Sequence, residues 1–164
     1  MTSLVKTTCL VMFCTSLVVG CAADRDAGPS FGDSLTDPQV PARGSTDLPQ
    51  WLAAGYYQSW RCEPARHSGR SPSPHGTTRV CNNDAIAGAA SGAFPVGAAA
   101  VKELYDGDSV IGYAVSRKVS ASGNDAWYWY ERVSDNLNAN DQGVAGCAGC
   151  HAQATRDFVF TVVL

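Results

Sequence analysis

Residues 147–151 read "CAGCH", two cysteines with two residues between them and a histidine directly after. Thiols and an imidazole at this spacing serve three chemistries: a zinc clamp, a redox dithiol, or a covalent haem anchor. Zinc wants four ligands, often from two such pairs, and the chain offers one pair; His67 and His75 stand in a loop without metal spacing. A redox dithiol belongs at the start of a helix that follows a strand, near a βαβ pattern, whereas this motif comes late in a chain that reads as β-rich. Haem attachment needs only these three residues. Cys147 and Cys150 add across the two vinyl groups and His151 ligates the iron, so haem c is the expected cofactor.

The N-terminus supports that choice. After Lys6 comes an apolar run, "LVMFCTSLVVG" (Leu10 to Gly20), too short to span a bilayer comfortably and suited to an export signal. It ends in "LVVGC", which resembles the lipobox of bacterial lipoproteins and makes Cys21 the expected lipidated residue. The reading is a signal peptide over 1–20, a lipid anchor at Cys21, and a periplasmic protein held to a membrane, the outer membrane favoured by Ala22. Haem c is attached outside the cytoplasm, which agrees.

Cysteine usage fits the same compartment. Of seven cysteines, Cys9 and Cys14 fall in the signal, Cys21 takes lipid and two belong to the motif. Cys62 and Cys81 remain, and in an oxidising compartment they are expected to bond. Such a bridge stabilises by about 3 kcal/mol on the chain-entropy view.

The elements that must position these residues begin near Asp47. Residues 21–46, rich in Asp, Gly, Pro and Ser, read as a flexible tether with an rms span of about 30 Å. Residues 47–164 form the haem-binding domain. "DLPQWLAAGYYQSW" predicts a helix, with Asp47 as N-cap and Pro49 in the first turn. Residues 61–76 predict a loop, "TTRVCN" a short strand, and "NDAIAGAA" one or two helical turns. Phe94 to Asp106, Ser109 to Val119 and Ala126 to Val133 predict strands, joined by turns at "DGD" and "SASGND". In the third, Trp127, Trp129 and Glu131 face one way and Tyr128, Tyr130 and Arg132 the other, as in a sheet packed on one side. "SDNLNANDQGVAG" predicts a loop and "RDFVFTVVL" a final strand. The fold class is therefore mainly β (α+β), an antiparallel sheet with flanking helices carrying one covalently bound haem c. The net charge of −3 offers no basic footprint, so no nucleic-acid partner is expected.

The iron's second axial position is open to two readings. The only methionines, Met1 and Met12, lie in the signal, so methionine is excluded. His75, in "SPHG", could ligate; otherwise the position is open to a small molecule.

In order, "SPHGTTRVCNN", "FPVGAAAVKELYD", "GYAVSRKV", "WYWYERV", "CAGCH" and "RDFVFT" resemble the cytochrome P-460 family, which includes the cytochromes c′-beta. The likeness runs from about residue 51 to the end, and its most specific parts are the "VKE" stretch and the late haem motif. It implies a β-rich haem c protein, usually a homodimer. Lys102 matches the lysine whose amine bonds a haem meso carbon in the cross-linked members, although spacing alone makes it a solvated strand residue. Arg79 matches an arginine near the haem; by itself it reads as an ion-pair residue. Active members carry a distal carboxylate from the loop before the motif, where Asp141 is the only acid here. Cys62 and Cys81 are not part of the family's core pattern.

Three functions follow as expectations. The first is an enzyme oxidising hydroxylamine and/or nitric oxide at an open haem iron, with Lys102, Arg79 and Asp141 as its residues and a redox partner protein to take the electrons. The second is a cytochrome c′-beta-like module that binds or detoxifies nitric oxide, with Phe94, Trp127 and Trp129 as lining. The third is electron transfer by a six-coordinate haem with His75 as the second ligand.

Overall fold

The structure, a computed structural model, describes residues 47–71, 73–123 and 125–164. The expected signal, the expected lipid anchor at Cys21 and the expected tether lie outside these residues. Among the described residues no helix is long and apolar enough to cross a membrane.

Apolar residues at every second position make strands, and turn residues between them make hairpins. β1 (Arg61–Cys62) and β2 (His67–Ser68) both pair with β3 (Thr77–Asn82). Three long strands follow: β4 (Ala99–Asp106), β5 (Ser109–Lys118) and β6 (Trp127–Val133). β7 (Asn136–Gln142) closes the order β1-β3-β4-β5-β6-β7, antiparallel throughout. Gly112 is required where β5 meets the bulge of β6 at Glu131/Arg132, because a Cβ there would run into the Arg132 carbonyl.

Both faces of the sheet are covered, not one. On the first, α1 (Leu48–Ala53) and a 3-10 turn (Tyr56–Ser59) bury Leu48, Trp51, Leu52 and Tyr57 against Cys81, Val101, Val115, Tyr128 and Tyr130. On the second, α2 (Asp84–Ala87), α3 (Ala145–His151) and the C-terminal tail pack Ile86, Ala148 and Val159 against Trp127 and Trp129. The tryptophans and tyrosines of β6 thus do take opposite sides, and each side has its own core.

Several expectations change, and the loop expected over residues 61–76 in fact carries β1 and β2. The first helix stops at Ala54 because Gly55 turns left-handed (φ 73°), and Asp47 makes no side-chain cap. The strand expected from Phe94 starts at Ala99, after Gly97 (φ 93°). "NLNANDQ" is a strand rather than a loop. The tail is not a strand: Asp157 (φ 39°) and Phe158 (φ 65°) form a left-handed corner within it.

Cys62 and Cys81 are bonded, as expected, and face each other across β1 and β3. The bridge ties the 61–76 segment to the sheet, next to the site described below.

Candidate functional site

Antiparallel register sets residues side by side on one face. On the second face Val80, Lys102, Ala114, Glu131 and Ala139 form a single row across five strands. The neighbouring row holds Ala100, Ser116 and Trp129. Alanine and serine leave this part of the face low. α3 and the tail bridge over it instead of filling it, leaving a cavity of about 260 Å³. A hollow of this size, lined mostly by apolar groups, is a candidate ligand site.

The roof of the cavity carries the opening motif. Cys147 and Cys150, both free thiols, are one helical turn apart on α3, and both line the cavity with His151. Lys102 lines it from the floor. Its amine makes no hydrogen bond or ion pair among the described residues, and burial lowers its pKa although Glu131 pulls the other way. The resemblance placed Lys102 at the haem; the fold brings it to the same cavity as the thiols and His151.

His151 has a defined tautomer. Its Nδ1 lies 2.7 Å from the Phe158 carbonyl, which can only accept, so Nδ1 carries the proton. Nε2 is left with its lone pair, the tautomer that a histidine ligating a metal through Nε2 would need. The ring sits between Trp129 (centroids 4.5 Å apart) and Phe160 (5.2 Å). Burial lowers its pKa, the Phe158 bond opposing, which favours the neutral, ligating form.

His75 and Glu131 complete the lining. Nδ1 of His75 lies 3.3 Å from the Glu131 carboxylate. Burial and the nearby Lys102 push His75 down to about pKa 4 against the pull of Glu131, so near neutral pH its imidazole is neutral. Sequence reading did not single out Glu131 as a site residue. It had placed it on the face of Trp127 and Trp129, and the nearby alanines were the available sign that this face is hollow.

Other expected site residues go elsewhere. Arg79 alternates with Val80 and so lies on the opposite face, where it donates to the Glu63 carbonyl (2.8 Å) and pairs with the buried Glu103 (3.5 Å). Asp141 pairs with Trp129 at the end of its row, on the sheet edge, and is exposed; its carboxylate accepts from the Gln142 N–H. Phe94 and Trp127 belong to the core beneath α2 rather than to the cavity lining, while Trp129 does line the cavity. His67 and Arg70 bind Glu63 at 2.9 and 2.7 Å and line a second hollow of about 220 Å³ that shares Lys102, His75 and His151 with the first.

Do these residues fit a haem? Two thiols one turn apart, a neutral imidazole with Nε2 free and an alanine floor suit a flat apolar macrocycle. One buried polar atom points the same way: the Trp129 indole N–H, on the cavity wall, has no acceptor. The dithiol alternative gains one feature, since α3 does follow strand β7. It loses on chemistry, because burial and the charge of Glu131 raise the Cys147 thiol when redox thiols need lowering. Among the described residues no three His, Cys, Asp or Glu side chains are grouped to hold a bare ion. Comparison with known protein families, curated proteins and solved structures found no match.

Proposed function

We propose that the chain is an exported c-type haem lipoprotein of the cytochrome P-460 kind, which oxidises hydroxylamine and/or nitric oxide. The observation that carries this reading is the meeting of Lys102, Cys147, Cys150 and His151 in one cavity, from strand β4 and helix α3, far apart in sequence. Cys147 and Cys150 would hold the haem and His151 its iron; haem would supply an open coordination position and one-electron redox chemistry.

The chain's own residues would do the rest. Oxidising hydroxylamine releases protons as well as electrons. Glu131 is the carboxylate on the cavity wall and takes the role of proton acceptor first given to Asp141. His75, with Nδ1 3.3 Å from the Glu131 carboxylate, stands where it could pass a proton on. Phe158, Phe160 and the aliphatic lining make most of the cavity wall apolar. Electrons would leave to a redox partner protein.

A second reading has one observation in its favour. His75 lines the same cavity as His151, which would suit a second axial ligand and simple electron transfer.

The test is turnover of hydroxylamine by the haem-loaded protein with an artificial oxidant. Oxidant reduction that depends on hydroxylamine supports the enzyme. A fully loaded protein with no turnover and sharp low-spin bands, which His75→Ala converts to high spin, overturns it in favour of electron transfer.

A further inference from the structure

The corner at Asp157 and Phe158 is unusual. Two successive residues other than glycine adopt positive φ, 39° and 65°, a conformation that side chains disfavour. The neighbouring structure must hold it there, and the corner delivers one thing to the site: the Phe158 carbonyl that binds His151 Nδ1–H.

What holds it is a buried ion pair. Lys118, 1% exposed at the end of β5, places its ammonium 2.6 Å from Asp157 Oδ2. The same oxygen accepts from the Phe94 N–H at 2.7 Å, and Oδ1 lies 3.5 Å from the Trp127 indole nitrogen. Just before the corner, Arg156 donates to the carbonyls of Gly92 and Ala89 and stacks on Phe94. A buried lysine is costly unless paired, so the pair is fixed in place and not incidental.

We propose that Asp157, held by Lys118, is a positioning residue that sets the tautomer and basicity of His151 through the Phe158 carbonyl. Nothing about it reacts. It fixes a left-handed corner, the corner fixes a carbonyl, and the carbonyl keeps the proton on Nδ1 so that Nε2 ligates. The functional meaning rests on the haem reading above; the tautomer does not.

The experiment uses the full chain labelled with ¹⁵N-histidine, as wild type, Asp157→Ala, Asp157→Asn and Lys118→Met. Nitrogen NMR of the diamagnetic protein reads the His151 tautomer, and in haem-loaded samples redox titration reads the midpoint potential. The wild type should show a single Nδ1–H form. Asp157→Ala and Lys118→Met should give mixed tautomers and a raised potential, because a ligand that loses its hydrogen bond donates less to ferric iron. Asp157→Asn keeps the side-chain shape and is the deciding variant where the others fail to fold. It should fall between wild type and Asp157→Ala. A folded Asp157→Asn or Asp157→Ala with lowered melting temperature but unchanged tautomer and potential makes the pair merely structural and overturns the proposal. A chain without haem overturns the preceding section alone, since the tautomer is still read.

Discussion

His75 Nδ1 and the Glu131 carboxylate meet at 3.3 Å on the wall of the cavity that Lys102 and His151 also line. One comes from the 61–76 segment and the other from β6, so the pair forms only when that segment folds onto the sheet. Glu131→Gln keeps the shape and removes the proton acceptor. Turnover of hydroxylamine should fall about 10²–10⁴-fold, the usual worth of a general base, with haem content unchanged. A variant as active as wild type would remove Glu131 from the chemistry.

Lys102 supplies the next prediction. An amine that burial holds toward its neutral form, lining the same cavity as two free thiols, could replace the hydrogen of a haem ring carbon, with a peroxide as the two-electron oxidant that takes up the C–H and N–H hydrogens as water. The ferrous Soret band of the wild type should be red-shifted relative to ordinary haem c, and Lys102→Leu should return it. Identical spectra for the two would mean that no cross-link forms.

The disulfide is a stability device for the site's outer wall. Cys81 is fully buried and Cys62 lies on the edge strand β1. Cys62→Ala with Cys81→Ala should cost about 3 kcal/mol in urea unfolding. It should also loosen His75, seen as faster hydrogen exchange over residues 66–76. Equal stability with and without the bridge would show that the sheet alone holds this segment.

Glu63 predicts acid sensitivity in the same segment. Burial would raise its pKa, but hydrogen bonds from Arg70, the Val80 N–H and His67 outweigh this and lower it. A folded-state pKa below the unfolded value, about 4.3, means stability that is complete above that range and is lost as pH falls through the folded value. Glu63→Gln should therefore destabilise at pH 7, and its gap to wild type should narrow as pH falls below the unfolded value. A gap that does not change with pH would rule out the ionised carboxylate as the source.

Parts of this fold were open to reading from the letters and parts were not. β3 to β6 announced themselves through alternation and glycine turns, and the side assignment along β6 followed from period two. β7 did not, because it is an edge strand with only Ala139 buried, and a polar strand has no alternation to see. The tail misled in the other direction. "FVFTVVL" has strand composition, but the left-handed corner before it is held by Lys118, a residue 39 positions earlier. Arg79 and Lys102 could have been separated by register alone. Arg79 pairs with Glu103 and Val80 with Lys102, so the arginine had to face away, yet that register depends on strand ends that composition leaves loose. The motif could be singled out because its three residues are adjacent in sequence; Glu131 could not, because its place on the cavity wall depends on what four other strands put around it.

The most direct measurement is the haem content of the purified, unfolded chain after expression with haem c attachment machinery. The alkaline pyridine spectrum should show haem bound through two thioether bonds in the wild type. It should show one bond in Cys147→Ala and in Cys150→Ala, and covalent haem should be lost when both are replaced. A folded wild-type chain that carries no covalent haem, with Cys147 and Cys150 cycling between thiols and a disulfide, would contradict the account and return "CAGCH" to dithiol chemistry.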